Sequence, residues 1–394
     1  MRRPASTAVL ATALLLTAAC AGGPADDGRP EESPAPRPTD APTAPPAASP
    51  DAAGPSGPAA SPAPARGSVD VDGTVATGLE SPWGLAPLPG GDLLVSSRDD
   101  GTIQRVAAED GAVTEVGAVP GVDPGGEGGL LGITLGAGDA EGYLYAYFTS
   151  ASDNRVVRMA YDADDPEAGL GAPDTVVRGV PKASIHNGGR MAFGPDGMLY
   201  IGTGDANRGD AAQDEDSLAG KILRVRPDGG APQEGNLKPG SPVFSLGHRN
   251  VQGLAFDGAG RLWASEFGQN TWDELNLVEA GRNYGWPVVE GAADEEGFVD
   301  PVAQWRPEEA SPSGLAWSQG SLWLAGLRGE RLWRIPLNGR ELAAEPEAFL
   351  EGEYGRLRTV VADGGGELWL MNSNTDGRGS PDGEDDRVLK LTVD

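Results

Sequence analysis

Six stretches of the chain repeat one order of positions: a small residue, an apolar pair ending near alanine, a turn rich in Gly, Asp and Pro, then an apolar, often aromatic run. They begin WGLAPLPGGDLLVSS at Trp83, LGITLGAGDAEGYLYAYF at Leu131, RMAFGPDGMLYIGTGD at Arg190, GLAFDGAGRLWASE at Gly253, GLAWSQGSLWLAG at Gly314 and TVVADGGGELWLMN at Thr359. The matching positions Gly84, Gly132, Arg190, Gly253, Gly314 and Thr359 lie 48, 58, 63, 61 and 45 residues apart, a mean of 55. Apolar residues alternating around a turn of the Asp-Gly type predict a β-hairpin in each copy. Further strand-like runs follow several copies: Gly101–Ala108, Asn154–Asp162, Asp273–Ala280 and Glu330–Leu337. A period of this length suits a four-stranded unit with its loops, and helical periodicity is almost absent. The expectation is an all-β chain, a six-bladed β-propeller over residues 67–394, closed by pairing Arg387–Val393 with Ser68–Ala76. A β-sandwich or two smaller domains are the alternatives.

The first 66 residues carry no such pattern. Arg2 and Arg3 precede a short apolar run, Ala8–Leu16, and then Thr17, Ala18, Ala19 and Cys20. The run is too short to span a bilayer and reads as an export signal over residues 1–20. Small residues before the chain's one cysteine resemble a bacterial lipobox, in which Cys20 becomes the lipidated terminus; an ordinary cleaved signal is the alternative. Residues 21–66 hold 13 Pro and 13 Ala and no Phe, Trp or Tyr. Such a segment cannot bury enough apolar area to offset chain entropy. It reads as a disordered tether reaching at most roughly 140 Å. The expected place of the protein is therefore exported and lipid-anchored at the outer face of the bacterial cytoplasmic membrane.

Charge narrows the partners. The chain has 30 Lys+Arg against 59 Asp+Glu, a net −29, and 53 of those acids against 25 of those bases lie beyond residue 66. So acidic a surface repels nucleic-acid phosphates and anionic headgroups, which leaves a lipid anchor as the only membrane contact expected and excludes nucleic acid as a main partner. A single cysteine excludes a disulfide scaffold, and a domain of this length buries a core without one.

Histidine is scarce: only His186 and His248 occur. Acid–base chemistry near neutral pH would fall first to these two. His186 lies in the glycine-rich SIHNGGRMAFGPDG, and IGTGDANRGD brings Asp205 to the far end of the adjacent strand, where strand loops of a propeller share one face. Arg249 and Asn250 follow His248 directly. Asp273, Glu274 and Asn276 supply the hard oxygens that calcium prefers, although the spacing matches no EF-hand and composition alone favours a solvated acidic loop. Arg356 and Arg358, two apart, point to one face of a strand.

Seven motifs in order, EGGLLGI, HNGGRMAFGPDG, GTGD, LAGKILRVRPDG, GHRNVQGLAF, DELNLVEAGRNYGWP and GRLR, resemble those of the soluble PQQ-dependent aldose sugar dehydrogenases, the glucose/sorbosone dehydrogenase family. The resemblance runs from about residue 74 to the C-terminus. It implies a six-bladed propeller holding pyrroloquinoline quinone (PQQ) and calcium (Ca2+) on its top face, and oxidation of an aldose at C1 to the lactone. By that resemblance His186 is the general base, Asp205 orients it, and Arg249 stabilises the reduced quinone oxygen. Asn250, Arg328, Arg356 and Arg358 hold the cofactor, with Arg328 at a position where relatives carry lysine. The carbonyls of Gly268 and Gln269 hold the cofactor's Ca2+, while Glu274 and the carbonyl of Tyr284 fall where relatives bind a structural Ca2+. Glu127 replaces a glutamine near the substrate. The acidic domain favours a neutral sugar; the electron acceptor is not readable from sequence. The competing readings are a non-catalytic propeller that binds a protein or glycan partner and a Ca-dependent sugar lactonase.

Overall fold

Strands buried at every position, such as Leu93–Ser97 and Leu262–Glu266, have no solvent face and are covered on both sides. The computed structural model, which describes residues 62–394, covers them by standing six antiparallel sheets around an axis. The signal segment, Cys20 and the rest of the tether lie outside the described residues. Each sheet begins with one copy of the sequence repeat as its innermost hairpin: Pro82–Pro87 with Leu93–Ser97, Leu130–Leu135 with Tyr143–Thr149, Met191–Phe193 with Leu199–Gly202, Val251–Phe256 with Leu262–Glu266, Pro312–Ser318 with Ser321–Gly326, and Leu357–Ala362 with Glu367–Asn372. The predicted third strands follow, and the sixth blade is closed as expected: Val69–Ala76 lies antiparallel to Val388–Val393, from Val69 opposite Val393 to Ala76 opposite Val388. Fold and closure are those read from the repeat.

The core is six wedges rather than one body, each filled by facing sides of neighbouring blades. Tyr145, Tyr147 and Val156 meet Leu199, Ile201 and Leu223 between blades two and three, and Trp263 and Leu275 meet Leu322 and Leu324 between blades four and five. Near the axis the blades approach too closely for side chains. A Cβ on Gly132 would lie 2.1 Å from the Gly189 carbonyl, and one on Gly253 2.4 Å from the Ser313 carbonyl. The glycine column of the repeat is therefore a packing requirement. Its two exceptions, Arg190 and Thr359, belong to opposite blades and meet across the axis, with Arg190 Nη2 donating to Thr359 Oγ1 at 3.1 Å. Thr359 in turn donates to the Trp83 carbonyl at 2.6 Å, and the Arg190 guanidinium lies 4.4 Å from the Trp83 ring centroid. Together they plug the channel below its upper mouth.

Residues 62–66, which composition assigns to the tether, lie against blade five. The Ala63 N–H donates to the Leu337 carbonyl at 3.0 Å, and the buried Arg334 donates to the Pro64 carbonyl at 3.0 Å.

Candidate active site

The upper mouth collects the loops that precede the inner strands and those that follow the second strands. In the loop before Met191–Phe193, His186 adopts a left-handed backbone (φ 58°). Its N–H donates to Glu127 Oε2 at 2.8 Å, and its carbonyl accepts from Ala206 N at 3.1 Å. Gly204 makes this approach possible, since a Cβ there would lie 1.9 Å from the His186 carbonyl. The two glycine-rich motifs are thus one folded unit, and they bring His186 Nδ1 to 2.7 Å from Asp205 Oδ1. Asp205 is buried, and its second oxygen accepts from Trp286 Nε1 at 2.9 Å. Burial pushes the Asp205 carboxyl up, but its hydrogen bond and charge interaction with His186, with Trp286 and the Asn207 N–H behind them, hold it below its ordinary value. A carboxylate at Nδ1 fixes the proton there and leaves Nε2 as the free lone pair.

Arginines gather around the base. The Arg249 backbone is tied to Glu266, its Nη1 donates to the Phe267 carbonyl at 3.3 Å, and its buried Nε has no partner among the described residues. Burial pushes Arg249 down from its ordinary pKa against the nearby Asp205, Glu290 and Glu127. Asn250 Oδ1 accepts from Gly188 N at 3.0 Å, which directs its amide at the same cavity. Arg356 and Arg358 do share a face: both reach Asp376 Oδ2, at 2.9 and 3.2 Å. Arg358 also donates to Gln252 at 3.0 Å, and its Nε is orphaned among the described residues. Burial pushes Arg358 down to about 10. Arg328 is exposed on the rim with no ion-pair partner among the described residues. Glu127 lines the cavity too, but its carboxylate is engaged by the His186 N–H and, at 2.8 Å, by Arg378.

These residues enclose a cavity of about 310 Å³. His186, Arg249 and Gln269 also border a wider outer cleft of about 770 Å³, lined further by Asp205, Asn270 and Trp286. His186 stands in the wall between the two spaces. Trp83, Arg98, Gln252, Asp376 and Trp286 belong to the site and were not singled out in the sequence. Gln252 was within reach of the strand argument, because it lies two positions beyond Asn250 on the same face; the others carry no local signal.

Gly268 and Gln269 are among the residues that line the cavity. The amides of residues 269–272 all converge on Glu290 Oε1, between 2.6 and 3.2 Å, and the Gly268 amide on Asp273. No donor among the described residues satisfies the Gly268 or Gln269 carbonyl, the condition for a hard cation to use them. Glu274 and Tyr284 are buried and are not among the residues that line the cavity. Glu274 accepts from Gly291 N at 2.7 Å and from Asn276 at 3.0 Å, and burial together with Glu266 pushes it up to about 8. The Asn276 Oδ1 beside it is buried and unpartnered. His248 is structural: it bridges Ser245 and Glu266 at 2.8 Å each and stacks on Tyr284. Among the described residues no three His, Cys, Asp or Glu side chains converge to hold a metal.

Fold and site together define a class: a six-bladed β-propeller with a histidine–aspartate pair and an arginine-rich cavity at one mouth. The chain belongs to the Glucose / Sorbosone dehydrogenase family, whose sequence model matches residues 79–380. It is similar to the PQQ-bound aldose sugar dehydrogenase of Streptomyces coelicolor, with 66% identity and a TM-score of 0.82 over 84% of this chain and all of that one. It is 32% identical to quinoprotein glucose dehydrogenase B of Acinetobacter calcoaceticus over 57% of this chain and 54% of that protein. It is 28% identical to an aldose sugar dehydrogenase of Escherichia coli over 80% of this chain and 92% of that one.

Proposed function

We propose that this protein is a PQQ-dependent aldose sugar dehydrogenase that oxidises a sugar hemiacetal at C1 to the lactone. The observation that carries the reading is the free Nε2 of His186, held by Asp205 in the wall between an arginine-lined cavity and an open cleft. A tricarboxylate cofactor needs fixed guanidinium forks, and the orphaned Nε atoms of Arg249 and Arg358 are donors without an acceptor among the described residues. Arg328, Arg356, Arg358 and Asn250 would hold the cofactor, and the carbonyls of Gly268 and Gln269 its Ca2+. When bound, PQQ supplies a two-electron acceptor for the C1 hydride. His186 Nε2 takes the proton of the anomeric hydroxyl, and Asp205 stabilises the imidazolium so formed. Arg249 sets positive charge where negative charge develops. Glu274, Asn276 Oδ1 and the Tyr284 carbonyl are the oxygens for a second, structural Ca2+.

Purified protein supplied with PQQ and Ca2+ should reduce a redox dye with at least one neutral aldose from a panel, and His186→Ala should lower the rate about 100-fold or more. If no aldose reduces the dye and PQQ does not bind, the reading is lost. We propose further that Cys20 carries lipid and tethers the enzyme outside the cell; the electron acceptor is then an extracytoplasmic one.

A further inference from the structure

Trp286 touches two of the site's charged residues at once. Its Nε1–H donates to Asp205 Oδ2 at 2.9 Å, and its ring lies 5.3 Å from the Arg249 guanidinium carbon. The other Asp205 oxygen is shared by His186 Nδ1 and the Asn207 N–H. We propose that Trp286 is a positioning residue that fixes the Asp205 carboxylate between base and indole and sets how strongly that carboxylate acts on His186. The inference rests on His186 serving as the base.

The physical ground is competition for one carboxylate. Each N–H that the carboxylate accepts disperses its negative charge, and what remains is what stabilises a proton on His186. With no second donor, the Asp205 carboxylate would place its whole charge on the Nδ1 side of the ring. The indole draws part of that charge away and holds the carboxylate plane, so that the imidazole is oriented without being over-stabilised as a cation. Stacked over Arg249, the same ring keeps the guanidinium at a fixed distance from the pair. Glu127, itself paired with Arg378, accepts the His186 backbone N–H; the cavity that His186 borders also carries Arg98, Arg249, Asp273, Arg328, Arg356, Arg358 and Asp376, and the outer cleft Asp210 and Glu290. Trp286→Phe exchanges none of them and keeps a ring beside Arg249.

Trp286→Phe keeps the stacked ring and removes the N–H. Because the chain has only two histidines, the ring of His186 can be titrated by NMR in cofactor-free protein, with the wholly buried His248 as internal reference. In the variant the titration of the His186 ring should move to higher pH than in the parent, and the acid limb of kcat in loaded enzyme should move the same way while KM changes less than about twofold. Activity lost evenly at every pH, with an unmoved His186 titration, would overturn the proposal and leave Trp286 a packing residue. Should the variant not fold, wild-type protein still decides: the Trp286 indole N–H resonance should follow the His186 titration, and an indole signal blind to it overturns the proposal. Since both NMR readings are made without sugar or cofactor, failed aldose oxidation would count against the proposed reaction only, and an unmoved titration against this inference only.

Discussion

Asp376 shows how much of the site depends on a residue that no motif announces. It is one acid among 53 in the domain, in an irregular loop after the last hairpin, and only the folded chain brings it to Arg356 and Arg358. Burial opposes its charged form, but Arg358 and Arg356 outweigh burial and hold the carboxyl below its ordinary 3.8. A carboxyl depressed in the folded state contributes stability that is fully present above the unfolded value and lost as pH falls through the folded one. Asp376→Asn should therefore cost about 3 kcal/mol at pH 7, by leaving Arg358 buried without an acid, and the gap to wild type should close as pH drops below about 4. Urea unfolding at several pH values measures both; a gap independent of pH would show that the cost is packing. His186 and Asp205 were legible for the opposite reason: histidine is so rare here that its neighbourhoods could be weighed one by one. Arg190 was legible only as a broken repeat, an arginine in a glycine column, and its meaning needed Thr359 from the opposite blade.

At the scale of the element, inner hairpins were readable because both their faces are buried and their turns are marked by Gly and Asp. The outer strands Asp174–Val180, Val243–Leu246 and Ala303–Trp305 were not, being short or partly exposed and set off by long loops. The closing strand was readable and carries a testable load. Val69–Ala76 covers the edge of Val388–Val393, and its Val69 and Val71 pack onto the wedge between blades five and six while Ala76 enters that between blades six and one. Removing it uncovers a sheet edge and two wedges in one step. A chain starting at residue 77 should melt roughly 10 °C or more below the parent, or fail to stay soluble. One starting at residue 67, which loses the Pro64 carbonyl on Arg334 but keeps its Glu347 partner, should melt within a few degrees of it. Calorimetry on the two truncations separates closure from clamp, and equal melting of all three chains would deny the strand its role.

The whole molecule sets the direction in which the site faces. Ala63 meets the end of Arg331–Asn338 and packs beside Gly320, while Gly67 lies against the Asp394 carbonyl, all at the ends of strands that run away from the upper mouth. The chain therefore joins the propeller on the face opposite the cavity. With a net −28 beyond residue 66, that propeller is repelled by anionic headgroups, so attachment has to come from the N-terminal segment and not from the domain's own surface. On the reading proposed above, a lipid on Cys20 would supply it, and the entry of the described chain at residues 62–67 is on the face away from the mouth. A single acyl chain holds a protein only marginally, so the diacyl and acyl modification of a bacterial lipoprotein terminus is the form that would retain it. Cys20→Ser should accordingly move the protein from the membrane fraction to the soluble fraction of its native host, with dye-linked specific activity within about twofold of the parent, because neither the ring nor the mouth depends on the anchor. Mass analysis of the N-terminal peptide of the parent checks the lipid directly. An unmodified Cys20 in a soluble parent would mean that the segment before the propeller is an ordinary signal and that the enzyme is released, and membrane association that survives the substitution would mean that something other than a lipid on Cys20 holds it.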